Sequence, residues 1–65
     1  MKSWHIIVLD GCRTVIEREI FNVKDANELF EEWKEKYAAL NLEEEVKARA
    51  AGTKPIVYAV KREWY

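Results

Sequence analysis

One cysteine, one histidine and one proline are all that this 65-residue chain has of three residue types on which small folds often depend. Cys12 alone excludes an internal disulfide, and Cys12 with His5 falls short of the four ligands of a structural zinc site. A chain of this length buries only about 60% of the surface that its unfolded form exposes, so one small domain is expected, with self-association as the remaining aid to stability. Glycine is nearly as scarce, and Gly11, Gly52 and Pro55 are the strongest marks of where the backbone turns or stops. No apolar run approaches the roughly 18 residues of a membrane span, and the N-terminal residues lack a small-residue cleavage site. The chain is therefore expected to be soluble and cytoplasmic, in keeping with its lone thiol. Neither sign of charge dominates. A net charge of -1 argues against a leading role in nucleic-acid binding, although residues 1–45 carry -5 and residues 46–65 carry +4.

The clearest pattern lies over 25–40, where Ala26, Leu29, Phe30, Trp33, Tyr37 and Leu40 recur at the spacing of one helix face. Glu28, Glu31, Glu32, Lys34, Glu35 and Lys36 fall on the other side. Asp25 and Glu28 have the chemistry of a capping box, which predicts a helix starting at Asp25. Asn41 and Glu44 repeat the pattern and predict a break near Asn41, followed by a short second helix to about Ala51 with Gly52 as its cap. Residues 3–9 form a nearly continuous apolar and β-branched run that ends in Asp10-Gly11, the mark of a buried strand and a hairpin turn. Residues 14–22, mixed in polarity, predict an edge strand, and residues 56–64, after Pro55, a third strand. A three-residue loop over 10–12 sets Ile6 opposite Ile16, Trp4 opposite Arg18, Val8 opposite Thr14 and His5 opposite Glu17.

These elements predict an α+β fold of two layers, ββα(α)β, with a three-stranded antiparallel sheet in the order 2-1-3 packed on one long helix. That order places the most apolar strand in the middle. One sheet face is covered by the helix. The other carries some of Ile7, Leu9, Val15, Phe21, Val57 and Ala59, and such an open face is the main functional clue when its apolar groups are contiguous.

No catalytic, metal or nucleotide motif is present. His5 and Cys12 lie about 17 Å apart along the predicted hairpin, whereas a nucleophile and its base approach to about 3 Å. His5 is expected to bond a strand neighbour such as Glu17. Glu43, Glu44 and Glu45 fan around a helix instead of converging on an ion. The basic and aromatic set Arg49, Lys54, Tyr58, Lys61, Arg62 and Trp64 is the candidate for binding an anion or a nucleotide, with cations on phosphate and rings on a base. Residues 51–54 resemble a phosphate loop only superficially, since they end a helix instead of opening one.

The leading expectation is a non-enzymatic binding protein that forms a homodimer or higher oligomer without cofactor or metal. It would act stoichiometrically by occluding or sequestering a partner such as a host protein, as an inhibitor or accessory protein of the size common among phages. Ile7, Leu9, Val15, Phe21 and Val57 are the candidates for self-contact. The alternative is an oligomeric sponge for a small phosphorylated ligand, and the third and weakest reading is nucleic-acid binding.

Overall fold

The central strand owes its place to the run that begins at Trp4. In the computed structural model, which describes residues 2–65, strand β1 spans Trp4–Asp10 and is flanked by β2 (Arg13–Ile20) and β3 (Tyr58–Trp64). Both pairings are antiparallel and the order is β2-β1-β3, the α+β arrangement that the sequence predicts. A single helix, α1 (Val23–Ala51), connects β2 to β3 and lies across one face of the sheet. Ile6 and Val8 point into that layer, fully buried like Ala26, and meet the buried rings of Trp33 and Tyr37. Trp4, Ile20, Leu29, Phe30, Leu40, Tyr58 and Val60 close the edges of this core.

Three local expectations are corrected. The hairpin turn is two residues, Gly11 and Cys12, because Asp10 still pairs with Arg13. Gly11 takes φ 65° and Cys12 does not share its positive φ, the pattern of a type II′ turn. The pairing then slips at Val15, which is inserted as a bulge between Thr14 opposite Leu9 and Ile16 opposite Val8. The observed partners are therefore Ile6 with Arg18, Trp4 with Ile20 and His5 with Glu19. This is two residues from the predicted register, and an even shift leaves each side chain on its expected face.

The helix starts earlier than Asp25. Asn22 is extended, and its Oδ1 accepts from the backbone N–H groups of Lys24 at 2.8 Å and Asp25 at 3.3 Å. Asp25 instead sits in the first turn, where a carboxylate suits the positive end of the helix dipole. Nor does the helix break at Asn41. The Asn41 amide lies on the inner side and pairs with the returning chain: its Nδ2 donates to the Tyr58 carbonyl at 3.0 Å, and its Oδ1 accepts from the Tyr58 N–H at 2.8 Å. A side chain held this way is not free to cap a new helix, so one helix runs through to Ala51. Gly52, at φ 70°, ends it as the sequence predicts. The Thr53 N–H bonds Ala48 O at 2.9 Å and the Gly52 N–H bonds Arg49 O at 3.4 Å, the two bonds of a Schellman motif.

Candidate functional site

The pleat sorts the candidate side chains between two faces. On β3, Tyr58, Val60, Arg62 and Trp64 share the helix side, and Ala59, Lys61 and Glu63 share the open side. The basic and aromatic set is divided by this alternation. Arg62 lies over the Trp4 ring at 5.3 Å and the Phe30 ring at 5.1 Å and donates to Asn27 Oδ1, all at the edge of the core. Trp64 packs on Trp4 with centroids 4.8 Å apart, and Tyr58 packs on Tyr37 at 5.3 Å. Lys61 is on the far face, 2.5 Å from Glu63. Arg49 is on the exposed side of α1, bonded at 3.0 Å to Glu45. Lys54 lines a shallow depression with Lys47, Thr53 and Ile56 beyond the sheet. These six residues do not converge on one ligand.

The open face is itself divided. Toward the hairpin it carries Leu9 with Thr14 and Ala59 as cross-strand neighbours, and Val15 and Val57 are exposed at the same end of the sheet. Ile7 contributes little, being only 5% exposed. Its cross-strand neighbours are Glu17 and Lys61, long side chains of the kind whose methylene stems shield an apolar neighbour. Phe21 is exposed but lies past the opposite end of β2. The five self-contact candidates are thus spread over one buried position and two ends of the sheet.

At the end away from the hairpin the open face is polar, through a network that sequence reading found only in part. His5 Nδ1 lies 2.8 Å from Glu17 Oε2, the expected contact, made diagonally because Glu19 is the residue directly opposite. Ser3 Oγ is 3.1 Å from His5 Nε2 and donates to Glu19 Oε2 at 2.8 Å. A hydroxyl, an imidazole and a carboxylate in series have the connectivity of a nucleophilic triad. Access is what this one lacks. Ser3 is 2% exposed, its backbone is paired in both directions with Tyr65, and the Tyr65 ring stands edge-on to His5 at 4.7 Å. The hydroxyl donates to Glu19, away from the imidazole, so the group serves to tie the start of β1 to β2 at this end of the sheet. The signal for it was the Ser-x-His alternation, which puts residues 3 and 5 on one face.

Among the described residues no group of histidine, cysteine and carboxylate side chains is arranged to hold a metal ion, and no helix is long and apolar enough to cross a membrane. Cys12 is exposed in the turn. No protein-family model, curated protein or solved structure matches the chain.

Proposed function

We propose that this chain is a non-enzymatic binding protein that associates with copies of itself and acts stoichiometrically, by occluding or sequestering a partner. The observation that carries this reading is the apolar surface left over once sheet and helix have packed. Phe21, Leu42, Val46 and Val57 are each more than three-fifths exposed on a chain whose buried core is only a handful of side chains. Contiguous apolar surface on a small domain marks a place of contact, and of these four Leu42 and Val46 are neighbours, one turn apart on α1; a domain with so small a core also gains stability from any partner that binds only its folded form. The acidic first half of the helix and the basic C-terminal region offer that partner surfaces of opposite charge.

Capture of a small phosphorylated ligand by Arg49, Lys54, Tyr58, Lys61, Arg62 and Trp64 has less support, because these side chains lie on separate faces and Arg62, Trp64 and Tyr58 are engaged in packing. Nucleic-acid binding needs a continuous basic track, and the pairing of Lys61 with Glu63 and of Arg49 with Glu45 interrupts one.

Sedimentation equilibrium tests the proposal. The expected outcome is a weight-average mass that rises above 7.7 kDa as protein concentration increases. A constant monomer mass up to millimolar protein would refute self-association.

A further inference from the structure

Along its outer side the helix changes character. In the first half that side carries Glu28, Glu31, Glu32 and Glu35, all exposed. Beyond Tyr37 it carries Ala39, Leu42, Val46 and Ala50 instead, with Leu42 65% and Val46 68% exposed. At 3.6 residues per turn these four fall in a sector about 80° wide. The sector lies opposite Tyr37 and Ala48, which are buried against the rest of the chain. The segment 53–57 returns along the buried side, so nothing among the described residues covers the outer one. A helix side that simply meets water is polar, and this one is polar for only half its length.

We infer that the stripe formed by Ala39, Leu42, Val46 and Ala50 is where a second copy of the chain docks, helix against antiparallel helix, about a two-fold axis level with Glu45. The inference rests on the self-association reading and specifies its surface. A two-fold contact must be complementary to itself, and the flank with Glu43 and Lys47 is; on the other flank Glu45 comes level with its own copy, each carboxylate held at 3.0 Å by its own Arg49. Residues equally far above and below Glu45 come level across the axis, so Glu43 meets the partner's Lys47 and Lys47 meets the partner's Glu43. Val46 lies beside its own copy, Leu42 comes level with the turn that holds Ala50, and the alanines let the helices approach to the usual 8–10 Å. A parallel pairing has no such match. The flank with Glu43 and Lys47 then meets the flank with Glu45 and Arg49, where Glu43 lies nearest Glu45 and Lys47, bonded at 3.7 Å to its own Glu44, falls midway between Glu45 and Arg49, so no opposite charges come level. The contact runs for about three turns, at the small end of specific interfaces, below roughly 1,200 Å². The dimer is accordingly expected to form at micromolar concentration or above.

Three versions of the 65-residue chain decide the matter by sedimentation equilibrium: the natural one, Leu42→Glu with Val46→Glu, and Val15→Glu with Val57→Glu. All the altered side chains are exposed, and glutamate is well tolerated in a helix. The expected result is a dimer constant weakened at least about a hundredfold in the helix variant, equivalent to about 2.7 kcal/mol, and unchanged in the sheet variant. A helix variant that associates like the natural chain overturns the stripe and leaves self-association standing, whereas a natural chain that never associates removes both. Orientation is read by cysteine cross-linking in a Cys12→Ser background. Val46→Cys is expected to form a disulfide dimer on oxidation and Leu42→Cys is not, because the two-fold axis separates the latter pair beyond the roughly 7 Å between Cα atoms that a disulfide spans. Equal cross-linking at both positions, or at neither, overturns the antiparallel arrangement.

Discussion

Asn41 does two jobs that a sequence window cannot display together. Its side-chain amide offers Tyr58 one donor and one acceptor, as a neighbouring strand would, and so fixes where β3 begins. Both bonds bridge 17 positions of sequence, while the local pattern Asn-x-x-Glu is that of a helix start. The local capping chemistry at Asn41 is thus overruled by a distant contact, and the helix runs on to Ala51. Asn41→Ala leaves the Tyr58 N–H and carbonyl without these partners in a half-buried site, and the expected cost is about 1–3 kcal/mol, read as a lower urea midpoint with unchanged slope. Ile6 was legible from the start, since it is the centre of the one strongly apolar run. With its side chain fully buried, Ile6→Ala is expected to cost about 2–5 kcal/mol. In a domain with so small a core, that is enough to shift a large fraction of the molecules to the unfolded form, visible as loss of near-ultraviolet circular dichroism from the tryptophans.

Elements were easier to read than their limits. Periodicity identified the helix face, because Ala26, Trp33 and Tyr37 are buried where the 3.6-residue repeat puts them. Local sequence does not fix the start, because Asn22 and Asp25 are both good capping residues and only the chain leaving β2 selects between them. Asn22→Ala is expected to lose about 1 kcal/mol and Asn22→Gly only a few tenths. At the far end, Gly52→Ala forces a β-carbon into a left-handed conformation and is expected to cost about 1 kcal/mol. Both are measured by thermal unfolding followed at the helix band. The strand register shows the same division between what is local and what is not. Alternation along β1 told which residues share a face, while the bulge at Val15 depends on how a two-residue turn and the twist of the edge strand are reconciled. The candidate site was less legible still. Lys61 and Arg62 belong to one basic and aromatic stretch of sequence, yet on a strand adjacent residues point to opposite sides.

At the scale of the molecule, the helix outreaches the sheet it packs on. Twenty-nine helical residues extend about 43 Å, against about 23 Å for strands of seven. The excess length carries Leu42 and Val46 on its outer side, so the surface proposed for docking belongs to the part of the fold that the sheet does not support. The molecule measures 46 × 20 × 11 Å with a radius of gyration of 13.7 Å, where a compact chain of this length has about 10.7 Å. So slender a body meets more friction as it diffuses than a sphere of equal mass. A lone copy would leave a gel-filtration column early and pass for something heavier, and fluorescence anisotropy would err in the same direction. Only techniques that weigh the particle without assuming its outline can count the copies.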